Sequence, residues 1–115
     1  MAFKFHHHPL YEQTLTFAKD IYHLTGRLPD YEQLGLIAHL RGSSTLLVEE
    51  IANTLGRQKA TETESGLKYA IGIVNKIAAS VDMCHKLGYI DPASHTRSIA
   101  LCEDMVKRLH ETKDN

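Results

Sequence analysis

The sequence predicts an all-α protein, an antiparallel four-helix bundle whose helices run up, down, up and down. Apolar residues recur at helical spacing in several stretches, and turn-forming segments that contain Pro or Gly separate these stretches. No segment shows the sustained alternation of apolar and polar residues that is typical of strands. Because the connections are short, consecutive helices are expected to lie side by side in opposite directions. The chain of 115 residues is expected to form one domain, residues 1–115, around a single core.

The first two helices are predicted over residues 10–25 and 30–55. The first follows Pro9 and ends before Gly26, which is a favourable residue just after a helix. Its inward face is expected to carry Leu10, Phe17, Ile21 and Leu24, with Ala18 and Tyr22 beside them. The second helix follows a turn, and Asp30 is expected to cap it. Its inward face is expected to carry Leu36, Ile37, Leu40, Leu47, Val48, Ile51 and Leu55.

The third helix is predicted over residues 62–87, after the polar loop GRQKATETES. Thr61 or Thr63 is expected to cap its start, and Gly88 is expected to end it. Its inward face is expected to carry Leu67, Ala70, Ile71, Val74, Ile77, Ala78 and Val81.

The fourth helix is predicted over residues 92–111 and has the clearest start signal. Asp91 can accept hydrogen bonds from the free N–H groups of the first turn, and Pro92 occupies a position where a missing N–H costs nothing. Its inward face is expected to carry Ile99, Cys102, Met105, Val106 and Leu109.

The composition is that of an ordinary globular protein, with 43% hydrophobic and 23% charged residues and a net charge of −1. A broad basic surface for nucleic acid would make the charge far more positive, although a local basic patch is compatible with it. The start MAFKFHHHPL does not resemble a signal peptide, and no apolar run approaches the roughly 20 residues of a membrane span. A cytoplasmic protein without a membrane partner is expected.

The outer faces of the second and third helices are unusually small and apolar where charged residues are expected. The positions concerned are Gly35, Gly42 and Leu46 in the second helix and Gly72, Ala79 and Met83 in the third. Small residues around apolar anchors suit a subunit interface, because glycine lets another backbone approach closely. The alternatives are neutral surface residues or a tight contact between these two helices inside one bundle.

Residues 40–57 read LRGSSTLLVEEIANTLGR, and residues 67–90 read LKYAIGIVNKIAASVDMCHKLGYI. The first stretch resembles the second-helix signature of the 23S rRNA intervening-sequence proteins, which are also called four helix bundle proteins. That signature is close to LRRAAxSIPxNIAEGxxR. The second resembles the third-helix pattern of that family, which finishes in LGYI. The stretch 10–29 fits its first helix, an apolar helix that ends before a short turn containing Pro.

The resemblance implies an antiparallel four-helix bundle that assembles into a ring-like homopentamer, with no established catalytic activity and no cofactor. A related group acts as accessory proteins to retroelement reverse transcriptases and uses a basic pentamer to bind nucleic acid. The sequence departs from the family pattern at several polar positions, with Val48 where the family has Pro and Glu50 where it favours Asn. Arg41 and Arg57 are retained.

Histidine clusters raise the alternative of a metal-dependent bundle enzyme. His6, His7 and His8 are adjacent, but consecutive residues near a chain end rarely form a closed metal site. Two D-x-x-H pairs, Asp20 with His23 and Asp82 with His85, loosely match the inward-facing motifs of di-iron bundles. Their helical phase places them on or beside the polar faces, so surface contacts explain them better and no metal is expected.

No sequence motif indicates an enzyme. Cys84 and Cys102 lie in separate helices and are expected to be buried free thiols rather than a disulfide or a nucleophile. His95 falls in the inward phase of the fourth helix, where a hydrogen-bonded core histidine is the usual role.

The sequence thus predicts a non-enzymatic, self-assembling module for binding or scaffolding. Its expected partner is itself, as a homopentamer, and RNA or DNA is a further candidate partner. Arg41, Arg57 and Lys59 are the candidate nucleic-acid contacts. An accessory role beside a reverse transcriptase is the alternative of the same kind.

Overall fold

The computed structural model describes residues 3–112, which form four long helices and no strand. The helices are α1 (Pro9–Thr25), α2 (Ala38–Leu55), α3 (Ala60–Lys86) and α4 (Pro92–Glu111). Three short helical turns accompany them: Lys4–His7 before α1, and Asp30–Glu32 and Gln33–Ile37 before α2. The all-α prediction is confirmed.

Each helix packs along its neighbours in sequence, α1 against α2, α2 against α3 and α3 against α4. The molecule measures 44 × 26 × 19 Å, and its long dimension matches a helix of the length of α3. Contact between α1 and α4 is much sparser, so the bundle has one open edge. This arrangement confirms the predicted four-helix bundle.

The core is aliphatic, as a chain with no Trp and three Phe requires. The residues predicted to face inward are buried or packed against the core, except Val48, which is half-buried and lies outside the core cluster. Helix α3 also buries four residues that the prediction omitted: Thr63, Gly66, Ile73 and Ser80. Two threonines and a serine, Thr14, Ser44 and Thr54, are fully buried as well. Because Thr14 and Ser44 bond to backbone carbonyls four residues earlier, their hydroxyls need no partner from the core.

The first and last helices begin and end close to the predicted residues. Helix α1 starts at Pro9, and the Nδ1 atom of His8 accepts a hydrogen bond from the Leu10 N–H at 3.1 Å. In α4, Asp91 Oδ1 accepts a hydrogen bond from the Ser94 N–H at 2.7 Å, so the predicted cap is confirmed.

The predicted second helix is not continuous from residue 30, since α2 begins at Ala38 after two irregular turns. Glu32, and not Asp30, caps the Gln33–Ile37 turn, because its Oε1 atom accepts a hydrogen bond from the Leu36 N–H at 3.2 Å, and no side chain caps α2 itself. Gly35 has a non-helical backbone, and a Cβ there would lie 2.5 Å from that same oxygen. Gly35 therefore belongs to the break before α2 and not to the outer face of the helix.

Helix α3 begins at Ala60, earlier than predicted, and neither Thr61 nor Thr63 caps it. The predicted end is confirmed, because Gly88 has a φ of +81° that few other residues adopt. The Gly88 N–H donates to the His85 carbonyl and the Tyr89 N–H donates to the Cys84 carbonyl, both at 2.9 Å. This is the Schellman arrangement, in which a left-handed glycine satisfies the last carbonyls of a helix.

Candidate assembly surface

The outward positions predicted for assembly in α2 and α3 are open in the single chain. A Cβ added at Gly42 or Gly72 would have no atom within 4 Å apart from its own helix and neighbours. Leu46 is 41% exposed and Met83 is 50% exposed, and Ala79 is exposed between Gly72 and Met83. These glycines therefore make no tight contact inside the bundle, which removes that alternative for both.

Contacts with the neighbouring helices show which flank of α2 carries Leu46. The Arg41 guanidinium lies 5.2 Å from the centroid of the Tyr22 ring, so the flank of α2 that carries Arg41 faces α1. Glu50 lines a groove together with Tyr69 and so faces α3. Leu46 lies one helical turn before Glu50 and thus on the flank towards α3.

The matching flank of α3 carries the other predicted positions. Tyr69 faces α2, whereas Asp82 faces α4, to which it bonds. Gly72, Ala79 and Met83 follow Tyr69 at steps that keep to one side of a helix. The two outer faces therefore adjoin along the line where α2 and α3 pack. We call the set the α2–α3 surface: Gly42, Leu46, Gly72, Ala79 and Met83.

The tight contact between α2 and α3 lies at Gly66, which the sequence interpretation did not select. A Cβ at Gly66 would lie 2.1 Å from Thr54 Oγ1 and 3.0 Å from Thr54 Cβ. Within residues 3–112 that hydroxyl, which is fully buried, has no hydrogen-bond partner. The helical spacing in the sequence could have identified Gly66 as buried, because it lies on the same face as Ala70, Ile73 and Ile77.

The three candidate nucleic-acid residues do not form one patch. Arg41 is half-buried, and its Nε donates to Thr25 Oγ1 at 2.9 Å. Arg57 lies 4.0 Å from Glu62, and Lys59 is exposed just before α3. Arg41 lies about 21 Å before the end of α2 at Leu55, given 1.5 Å per residue, and Arg57 follows that end. Only Arg57 and Lys59 share a loop.

The D-x-x-H pair of α3 bonds across to α4 rather than within its own helix. Asp82 Oδ1 lies 2.7 Å from His95 Nε2, and the His85 and His95 rings stack with centroids 4.2 Å apart. His95 is half-buried, which places it at the edge of the core and not within it. Among residues 3–112, no three His, Cys, Asp or Glu side chains are grouped so as to hold a metal ion.

Two of the three adjacent histidines, His6 and His8, have local structural roles. His8 caps α1, and His6 packs in an aromatic cluster with Phe5 and Tyr11, with ring centroids 4.7 and 5.8 Å from theirs. His7 is exposed.

The two cysteines are free and buried, as predicted. Burial raises the pKa of the Cys84 thiol to about 11, and a nearby negative charge on Glu32 adds to the shift. Burial also raises the pKa of the Cys102 thiol to about 12. Both side chains stay protonated at neutral pH, so neither has the thiolate that a nucleophile requires.

The comparisons with known proteins place the chain in one family. A family model described as 23S rRNA-intervening sequence protein matches residues 7–111, a range that contains all four helices. A search of the curated proteins finds no match to the chain. In the part of the chain that the structure describes, no helix is long and apolar enough to cross a membrane. Because the family model covers nearly the whole chain, the protein belongs to the 23S rRNA-intervening sequence protein family.

Proposed function

We propose that this protein is a non-enzymatic module that assembles with copies of itself through the α2–α3 surface. The observation that carries the proposal is the open space beside Gly42 and Gly72, next to the half-exposed Leu46 and Met83. Each glycine costs a helix about 1 kcal/mol relative to alanine. Within residues 3–112 no neighbouring group packs close to either glycine to offset that cost, whereas close approach of a second copy would.

The energetics of the surface favour association over exposure. Burying a leucine or methionine side chain completely contributes roughly 1.5–3 kcal/mol, and Leu46 and Met83 are each about half exposed. Small residues beside them would let the backbone of another helix approach closely, which increases dispersion contacts. The resemblance of residues 40–57 and 67–90 to the family patterns favours a ring of five copies.

Sedimentation velocity at micromolar concentration tests the assembly. We expect a particle of five times 12.9 kDa, about 65 kDa, for the unchanged protein. The double variant Leu46→Lys, Met83→Lys is expected to sediment as a folded 12.9 kDa monomer, because two buried charges would oppose association. Leu15→Lys is the matched control, since Leu15 is 36% exposed and lies on α1, away from this surface. A monomeric unchanged protein, or equal dissociation by the control, would contradict the proposal.

A second candidate function is contact with RNA or DNA through the loop between α2 and α3. Arg57 and Lys59 share this loop, and a ring would repeat the pair and make a weak contact multivalent. We expect a structured RNA to bind with a steep salt dependence and to bind less well to Arg57→Gln, Lys59→Gln. The control is Lys107→Gln with Arg108→Gln, which removes the same charge from α4. Binding that is insensitive to salt, or equally reduced by the control, would contradict this function.

A further inference from the structure

The open edge between α1 and α4 contains a polar groove of about 310 Å³ near the start of α4. Arg27, just after α1, and Arg97 of α4 both line it, together with Ser94 and Ser98. Asp20 and His23 of α1 line it as well. The groove lies at a different edge of the bundle from the α2–α3 surface.

The two arginines converge on one buried hydroxyl. Ser94 is 2% exposed, and its Oγ atom accepts hydrogen bonds from Arg27 Nη1 and from Arg97 Nη2, the second at 3.3 Å. Within residues 3–112, neither arginine forms an ion pair with a carboxylate. A guanidinium is always charged and has five N–H donors, and one shared hydroxyl satisfies few of them. Two guanidinium groups therefore lie close together at one end of the groove, and several of their N–H donors remain available to a ligand.

The carboxylate at this end is already engaged. Asp91 caps α4 by accepting the Ser94 N–H at 2.7 Å. This hydrogen bond and one from the Ser94 hydroxyl lower the pKa of Asp91, and the charges of Arg27 and Arg97 lower it further. The field of the arginines thus reaches the first turn of α4, whose N-terminal end adds to the positive potential.

We propose that the groove binds a small phosphomonoester, with its phosphate between Arg27 and Arg97 and the rest of the molecule extending towards Asp20. Paired guanidiniums match the geometry of phosphate oxygens, and the phosphate offers more acceptors than the Ser94 hydroxyl. From Ser94 to Leu101 the groove follows α4 for about 10 Å, the length of a compact phosphorylated molecule.

Asp20 decides between a small phosphomonoester and a nucleic-acid strand. A carboxylate at the far end of the groove accepts hydrogen bonds from hydroxyl or amino groups, as carboxylates do from ribose. The same carboxylate repels a second phosphate that follows along a strand. The charges therefore favour a ligand with one phosphate and a donor-rich body, such as a nucleoside 5′-monophosphate.

Titration of the unchanged protein with adenosine 5′-monophosphate, followed by amide NMR, tests the site without altering the fold. We expect the backbone signals of Ser94, Arg97 and Ser98 to shift saturably, and adenosine without a phosphate to leave them unchanged. Inorganic phosphate is expected to shift the same signals more weakly, because it lacks the part that reaches Asp20. Absence of saturable shifts, or equal shifts with adenosine, would overturn the proposal.

Calorimetric titration of charge variants tests whether Arg27 and Arg97 bind the phosphate. Arg97→Gln and Arg27→Gln are each expected to weaken nucleotide binding about tenfold or more, since each removes charge-assisted hydrogen bonds. Arg108→Gln on the same helix removes an equal charge that is paired with Asp104, and it is expected to leave the affinity unchanged. Equal weakening by Arg108→Gln would overturn the assignment.

A single-stranded RNA oligonucleotide with a 5′-hydroxyl supplies only phosphodiesters and separates the two sources of phosphate. We expect it to bind more weakly than the nucleotide. Tighter binding that is lost in Arg97→Gln would overturn the phosphomonoester assignment in favour of a nucleic-acid backbone.

Discussion

Single glycines in this bundle differ in what a methyl group would meet. At Gly66 the methyl would collide with the side chain of Thr54, which is itself fully buried. At Gly42 and Gly72 the same methyl would enter open space. An identical substitution therefore reports on the fold at one position and on the outer surface at the other two.

Gly66→Ala is expected to destabilise the bundle by about 1–3 kcal/mol, because overpacking forces α2 and α3 apart. Urea unfolding followed by circular dichroism measures this change. Gly42→Ala is the control, made in the Leu46→Lys, Met83→Lys background, which is expected to be monomeric. There the substitution should add up to about 1 kcal/mol to the free energy of unfolding. A Gly66→Ala protein as stable as the unchanged one would show that the contact relaxes at no cost.

The two thiols are expected to resist alkylation in the folded protein. Burial raises the pKa of Cys84 to about 11 and that of Cys102 to about 12, so almost no thiolate is present at pH 8. Iodoacetamide at pH 8 should modify neither residue without denaturant and both in 6 M urea, as read by intact mass. Rapid modification of either cysteine in the native protein would contradict the burial described for it.

At the scale of elements, helix ends were predictable where the signal is local. Asp91, Pro92 and Gly88 act on residues within one turn of themselves, and the structure uses all three as predicted. The break before α2 was not predictable in the same way, because the side chain that caps the Gln33–Ile37 turn is fixed by a tertiary contact. Glu32 is held by the Tyr89 hydroxyl, which donates to Oε2 at 2.9 Å from the distant turn after α3.

Asp91→Ala is expected to lower the melting temperature at neutral pH and to matter less in acid. The Ser94 N–H lowers the folded-state pKa of Asp91 below the unfolded value near 3.8. The carboxylate therefore contributes stability above that unfolded pKa and loses it as the pH falls through the lower folded pKa. Melting curves from pH 7 to pH 2 should converge for the two proteins at the acid end. Asp104→Ala, an exposed carboxylate within α4, is the control.

At the scale of the whole molecule, the sequence determines the bundle and the outward faces of its helices but not the convergence of distant polar groups. The helical spacing of the sequence predicts that Gly42, Leu46 and Met83 face outward, and in the structure all three do. The meeting of Arg27 with Arg97 depends on how the end of α1 approaches the start of α4. No periodicity within one segment contains that information.

Because contact between α1 and α4 is sparse, the bundle is expected to open locally along the edge between these two helices. These helices are the first and last of the chain, and each is anchored firmly on one side only, α1 to α2 and α4 to α3. Amide hydrogens facing this edge should exchange fastest among the helical ones. An anion bound by both Arg27 and Arg97 would link the two terminal helices and so slow amide exchange at this edge.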